Sequence, residues 1–473
     1  MTSDPKSSSS ARSSELICHD KLERVAIDAL QPYPGNARTH SKKQVQQIVR
    51  SIERFGFTNP VLVDASNGII AGHGRVLAAQ VMGLKDVPCL RLSHLTEADK
   101  RAYILADNKL AQNAGWDKEL LAIELQRLVE VAYDVELTGF SIGEADIVIG
   151  EAAQARSDTR DVEDNAIPDI DVKAVSQSGD IWLLGRHRLI CGDAQDQTIF
   201  SRLLEGDAID AVFTDPPYNV AIDGNVCGLG EVKHREFAYA AGEMSKSAFT
   251  SFLTTTLGHA ASACRDGSIA FVCMDWRHMG ELLAAGEAVF SELKNVCVWN
   301  KTNGGMGSFY RSKHEMVFVF KVGTAAHTNT FGLGDGGRYR TNVWDYAGIN
   351  TIKKERQDEL AMHPTVKPVA LVADALLDVT KRGARVLDPF GGSGTTLIAA
   401  EKTGRQARLI EYDPLYCDVI VRRFETYTGK RARLSTTGET FEDVGDKRSL
   451  SRAVTLDQRG GAYPCPEAVK SPA

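Results

Sequence analysis

Apolar and polar positions alternate in two different rhythms along this chain. Between residues 21 and 149 the apolar bursts are short. The stretch "NPVLVDASNGIIAGHGRVLAAQVMGL" predicts strand, turn, strand, a glycine-rich corner and a helix from about Arg75. "WDKELLAIELQRLVEVAYD" repeats its apolar residues at helical spacing. Residues 150–175 lose this periodicity, turn acidic and carry Pro168, which predicts a linker. "GDIWLLGRHRLICGDA" predicts a hairpin turning near Gly185-Arg186, and from residue 176 to 434 strands and helices alternate. That alternation predicts an α/β fold, a doubly wound sheet, behind a smaller α+β domain. Residues 1–20 are Ser-rich and 435–473 are polar and Gly-rich, so both ends are expected to be flexible.

Two predicted strands end in unusual chemistry. "AVFTDPPYNV" stops an apolar run with Asp215, Pro216, Pro217 and Tyr218. Proline cannot donate to a sheet ladder, so the pair forms a stiff corner at the strand's C-terminal end. Ligands of open α/β sheets bind at that edge. "RVLDPFGGSGTTLIAA" is a strand, a turn through Gly391, Gly392 and Gly394, and a helix opened by Thr395 and Thr396. Glycines let a ligand approach the backbone, and the helix start offers unpaired N–H groups. Glu411 ends the next strand, 19 residues beyond Gly392. An acid at that spacing suits ribose hydroxyls. No Lys follows the last glycine, so an adenosine ligand without a triphosphate fits better than a nucleoside triphosphate.

Composition narrows the class. The 473 residues suit two or three domains, 43% hydrophobic and 25% charged. No apolar run is long enough for a membrane span, the N-terminus lacks a signal-peptide core, and a cytoplasmic location is expected. Nine cysteines without a C-x-x-C pair argue for reduced thiols and against a zinc site. The formal net charge is −7, but residues 294–356 hold ten Lys/Arg against four Asp/Glu. A basic region in an acidic chain is a local footprint for a polyanion.

The two strand-end motifs together resemble the amino-directed DNA methyltransferases, in the permuted order of their beta class, with the catalytic motif before the cofactor loop. The resemblance covers about residues 179–428 and implies a Rossmann-like methyltransferase fold, mixed in strand direction. It also implies S-adenosyl-L-methionine as methyl donor and double-stranded DNA as substrate. By position it assigns Asp215, Pro216, Pro217 and Tyr218 to catalysis. Asp193 of "LICGDA", Thr365 and Lys367 of "HPTVKP", Asp388, Phe390, the three glycines, Thr395 and Glu411 fall to the cofactor. The family tends to carry Asp-Pro-Pro-Tyr for adenine-N6 and Ser-Pro-Pro-Tyr for cytosine-N4, so adenine is the expected base and cytosine the alternative. The target-recognition region would be residues 322–362, where Arg338, Arg340, Lys353 and Lys354 are expected to touch DNA. So short an insert is expected to need help from the N-terminal domain or a homodimer partner.

"GIIAGHGRVLAA" and "ADNKLA" resemble the N-terminal domain of ParB-type partition proteins and sulfiredoxins. The resemblance makes Gly72, His73, Gly74 and Arg75 a candidate phosphate-binding corner. It also leaves a second reading, a ParB-like DNA-binding or nicking protein with an accessory methylase-like domain.

Overall fold

A computed structural model describes residues 21–131, 133–155, 164–171, 173–220, 242–301, 309–330, 340–347 and 366–460. The chain divides into two compact units, Met1–Ser141 and Ile142–Ala473.

The first unit has a four-stranded mixed sheet in the order β1-β4-β2-β3, made of β1 (Leu22–Ala26), β2 (Val61–Val63), β3 (Ile69–Ala71) and β4 (Asp86–Arg91). Its helices are α1 (Lys42–Phe55), α2 (His73–Val81), α3 (Glu97–Asn113) and α4 (Lys118–Glu130). Val61, Val63, Ile69, Val76 and Val87 form the core with Cys89. α3 begins on a reciprocal cap between Thr96 and Asp99, which satisfies two backbone N–H groups that the first turn would leave open.

In the second unit a helix, α5 (Ile142–Ala155), precedes the hairpin β5 (Ile181–Leu184) and β6 (His187–Cys191). Gly185 turns that hairpin at φ 61°, as the sequence predicts. Then follow α6 (Gln197–Leu204), β7 (Ile209–Thr214), α7 (Lys246–Ser262), β8 (Cys264–Met274), α8 (Met279–Val289), β9 (Glu292–Asn300), β10 (His314–Lys321) and β11 (Val343–Asp345). The chain continues through α9 (Val369–Val379), β12 (Arg385–Asp388), α10 (Thr395–Thr403), β13 (Gln406–Glu411), α11 (Pro414–Thr428), β14 (Arg433–Leu434) and α12 (Phe441–Gly460). The strands form one ten-stranded sheet in the order β11-β9-β10-β8-β7-β12-β13-β6-β5-β14.

The mixed, doubly wound character follows from the pairing. β8, β7, β12, β13 and β6 run parallel, while β10 is antiparallel to β8 and β14 to β5. Helices cover both faces, so the inner strands read as nearly unbroken apolar runs such as "IDAVFT". Because β6, β7, β12 and β13 are neighbours and parallel, their C-terminal ends line one edge. Asp193, Asp215, Asp388 and Glu411 stand on it.

Three sequence expectations differ from the fold. The acidic stretch 150–175 is not a free linker where it is described. Asp164 is buried and takes the Lys402 ammonium at 2.5 Å, and Asp418 accepts the N–H groups of Val175 and Ser176 at 2.6 and 2.9 Å. Its Asp164 meets a cation of α10 and its backbone donors meet an acid of α11, pairings that periodicity cannot reveal. Residues 435–460 are not a frayed tail either, since α12 packs Phe441 and Val444 into the core and Arg448 grips Asp180. Part of the expected recognition insert is a sheet strand: β11 pairs parallel with β9 and buries Trp344. Residues 1–20 and 461–473 lie outside the described residues.

Candidate active site

Asp388 knots the site together. Its Oδ1 accepts the Thr214 hydroxyl at 2.9 Å and the Phe390 N–H at 3.1 Å, and its Oδ2 accepts the Thr396 hydroxyl at 2.7 Å. One carboxylate thereby ties the end of β7, the end of β12 and the start of α10. Burial drives its pKa up to about 7 against those three donors.

The glycine loop follows. Gly391 donates its N–H to the Ile410 carbonyl at 2.8 Å, and a Cβ there would stand 3.2 Å from Ile420 Cδ1. Gly394 caps α10 at φ 84°, a backbone region that side chains resist. The loop is thus pressed onto β13 and α11 and held flat. Gly392 gives its N–H to Glu411 Oε2 at 2.7 Å, and Asp413 gives its own to Oε1 at 2.8 Å. Each Glu411 oxygen keeps a further lone pair. Burial raises the Glu411 pKa to about 7. Asp193 closes this end: its Oδ1 accepts the Gln195 N–H at 2.8 Å. A cleft of about 1400 Å³, open solvent included, runs from Asp193 and Glu411 past Phe390 and Thr395 to Asp215 and Tyr218.

At the far end stands a charge cluster. Tyr218 donates its hydroxyl to Asp215 Oδ1 at 2.7 Å, with Glu315 Oε2 as a longer acceptor at 3.1 Å. Lys367 Nζ lies 2.6 Å from Asp215 Oδ2, 2.8 Å from Glu315 Oε2 and 3.1 Å from the Tyr218 oxygen. Lys301 pairs with the other Glu315 oxygen. Two ammoniums and two carboxylates make the cluster neutral, the condition under which buried charges are tolerated. The carboxylates differ, however. Burial pushes both up, but two lysines hold Glu315 down at about 2, whereas Asp215, with one lysine and the Glu315 charge beside it, stays raised. Asp215 is the more basic of the pair. Burial and the two carboxylates keep the Tyr218 phenol protonated.

Asp193, Pro216, Pro217, Asp388, Phe390, Gly391, Gly392, Thr395 and Glu411 come together on one cleft with Asp215 and Tyr218, and Gly394 supports the loop from beneath. Lys367 lines that cleft too, but it grips Asp215 and Glu315, a contact unlike the cofactor role expected of it. Arg340 is a correction. Its Nε donates to Asp378 at 2.9 Å, its Nη1 to the Tyr346 hydroxyl at 3.1 Å, and its guanidinium lies 5.1 Å from the Trp344 ring centre. A guanidinium so engaged braces β11 and is not presented to a nucleic acid. Thr365, Arg338, Lys353 and Lys354 lie outside the described residues.

The corner in the first unit is corrected in part. Gly72 is left-handed at φ 104° and caps α2 as expected. Arg75, however, spends Nη1 on the carbonyls of Asn59 and Pro60 at 2.8 and 3.0 Å. His73 Nε2 accepts the Tyr33 N–H at 3.2 Å, and Gly74 leaves room for His40 and Ile48 of α1. These side chains hold neighbouring backbone at Tyr33 and at Asn59 and Pro60.

Sequence reasoning passed over Glu315 and Lys301, although both flank the apolar segments "VCVWN" and "MVFVF". A charge beside a strand reads as a solvated end, and only the sheet order brings Glu315 next to Tyr218. Phe309 and Tyr310 were also missed. They form an edge-to-face pair in the β9–β10 connection and are 86% and 82% exposed. β10 starts where β8 ends, so this connection rises from the same edge as Asp215.

The chain is similar to several known proteins. The DNA methylase family matches residues 209–422, the ParB-methyltransferase HTH domain 119–178 and the ParB N-terminal domain 11–109. The type II methyltransferase M.HinfI of Haemophilus influenzae is 26% identical over 241 residues, 47% of this chain and 64% of that protein. The ParB-like nuclease domain-containing protein YnaK of Escherichia coli (strain K12) is 53% identical over 84 residues, 17% of this chain and 97% of that protein. The solved PvuII DNA methyltransferase, cytosine-N4-specific, aligns at a TM-score of 0.39 and 15% identity over 59% of this chain and 94% of its own. The chain thus joins a ParB N-terminal domain and a ParB-methyltransferase helix-turn-helix domain to a DNA methylase domain of the N6/N4 family.

Proposed function

We propose that this chain transfers the methyl group of S-adenosylmethionine to the exocyclic amine of a base swung out of double-stranded DNA, with adenine as the base. The observation that carries this reading is the single cleft joining Glu411 and the glycine loop to Asp215 and Tyr218. The residues present fit the donor. Glu411 keeps lone pairs for ribose hydroxyls, Asp193 borders the same end, and the glycine loop lies flat enough for close approach. The donor supplies an electrophilic methyl group on a sulfonium.

The chain's part is to prepare the amine. An exocyclic amine is a poor nucleophile because its lone pair is delocalised into the ring. Hydrogen bonds from it to the Asp215 carboxylate and the Pro216 carbonyl favour a tetrahedral nitrogen, an interaction that strengthens in the transition state. Methylation would leave the amine with one proton to shed, the C–S electron pair departing with the sulfur of the donor. Asp215, the more basic carboxylate of the cluster, receives it. Tyr218 offers a ring face for the extruded base, which has to leave the stack for its amine to be reached. Asp-Pro-Pro-Tyr supports adenine. Duplex DNA incubated with labelled donor and digested to nucleosides should yield N6-methyldeoxyadenosine. N4-methyldeoxycytidine would reassign the base, and no labelled nucleoside would reject the reading.

Three further outcomes are expected. Glu411→Ala should weaken donor binding about 10- to 100-fold, the worth of one hydrogen bond to a charged group. Calorimetry giving an unchanged affinity would make Glu411 a brace for Gly392 and Asp413 only. The exposed Phe309 and Tyr310, followed by Arg311 and Lys313, make the β9–β10 connection the described surface best suited to DNA. Replacing both aromatics by Ala should lower DNA affinity about 10-fold or more while donor binding stays constant. Arg311→Ala should flatten the salt dependence by about one phosphate contact. Equal affinity across a salt series would place DNA contact elsewhere.

A further inference from the structure

Both Asp215 oxygens already hold a donor: the Tyr218 hydroxyl on Oδ1 and the Lys367 ammonium on Oδ2. The target amine needs one of these places. Both donors have a second seat on Glu315 Oε2, and the Lys367 ammonium is the nearer to it. It is 2.8 Å from Glu315 Oε2, and Glu315 is fixed from behind by Lys301 and by its place on β10. Trp299 lines the same corner, its ring centre 4.6 Å from Lys301 Nζ and 5.8 Å from Lys367 Nζ.

We propose that Glu315 is a positioning residue for methyl transfer: it shares Lys367 with Asp215 and retains that ammonium when the target amine takes Asp215 Oδ2. The proposal deepens the methyltransferase reading and rests on it. The charges of the cluster have to stay balanced through the exchange. If Glu315 were apolar, Lys367 would be a buried cation with Asp215 as its sole counter-charge, and releasing Asp215 would strand it. With Glu315 in place, the amine displaces one contact of a bridged ion, and the ammonium stays paired. Lys301 serves Glu315 in the same way, so the four charges remain balanced before and after the exchange.

The charged and titratable groups facing Asp215 are Lys367, Tyr218, Glu315, Cys273 and Asp388. Of these, Glu315 raises the Asp215 pKa and Lys367 lowers it. Glu315→Gln removes a neighbouring negative charge. It should lower kcat on the order of 10-fold or more and move the acid limb of kcat/KM to lower pH, with donor affinity unchanged. Glu315→Asp keeps the charge and should return the limb to its wild-type place. Lys301→Gln, a change at a side chain more open to solvent, removes a cation instead and should move the limb to higher pH. Opposite shifts from the two variants support the proposal. A fall in activity that is even across pH, with the limb fixed in both variants, would overturn it and leave Glu315 as a packing residue. A wild-type enzyme that methylates no duplex would overturn the methyltransferase reading as well, so the two failures are distinguishable.

Discussion

Asp215→Ala should abolish methyl transfer, by at least about 10²–10³-fold, while the affinity for S-adenosylmethionine holds. The side chain is placed to touch the amine, and the donor's end of the cleft is built by Asp193, the glycine loop and Glu411. Fold integrity should survive, because Lys367 keeps Glu315 as a partner at 2.8 Å and Tyr218 keeps Glu315 as an acceptor at 3.1 Å. Asp215→Asn is the sharper variant. The amide oxygen can still accept a hydrogen bond, but the carboxylate that receives the proton is gone. Single-turnover transfer of labelled methyl to a duplex, paired with calorimetry of the donor, reads both quantities. Turnover near wild type in either variant would remove Asp215 from the chemistry.

The second large effect is on stability. Arg405 is fully buried on the stretch between α10 and β13. It donates to Thr380 Oγ1 at 3.0 Å, to the Thr380 carbonyl at 2.6 Å and to Asp146 Oδ2 at 2.9 Å. Asp146 also pairs with Arg382 at 2.6 Å. Asp146→Ala removes a carboxylate that pairs with a fully buried guanidinium. Breaking such a pair costs about 3–5 kcal/mol. The urea midpoint of the second unit should fall accordingly. The double variant Asp146→Ala with Arg405→Met should recover part of the loss, since the fully buried guanidinium leaves together with its carboxylate. A single variant within about 0.5 kcal/mol of wild type would show that water reaches the pair.

Local chemistry was legible in the sequence where a motif is contiguous. The strand-ending Asp-Pro-Pro-Tyr, the glycine corner and the acid of the next strand each mark a place on one sheet edge, because parallel strands put their C-terminal ends together. What stayed hidden depends on elements far apart in the chain. Glu315 meets Tyr218 across 97 residues and Lys367 meets Asp215 across 152, so neither contact has a spacing to read. Arg340 misled for the opposite reason. A cation among glycines and aromatics is the composition of a recognition loop, but Asp374 and Asp378 of α9 fold up against it and claim its charge. Acidic residues between 164 and 176 likewise looked solvated until the helices that consume them were in place.

The buried pair of Asp146 and Arg405 bears on how such genes can be recombined. α5 belongs to the second unit, although it lies inside the stretch 119–178 matched by the helix-turn-helix domain. The seam at which one module can be exchanged for another therefore runs through that match, just before Ile142. A fusion that imports a foreign N-terminal module ahead of residue 142 carries Asp146 with the methylase and keeps Arg405 neutralised. A junction a few residues later, at the apparent end of the ParB-like region, discards Asp146 with the old module. The methylase then loses the carboxylate that meets its buried Arg405, and every incoming module would have to supply one in its place.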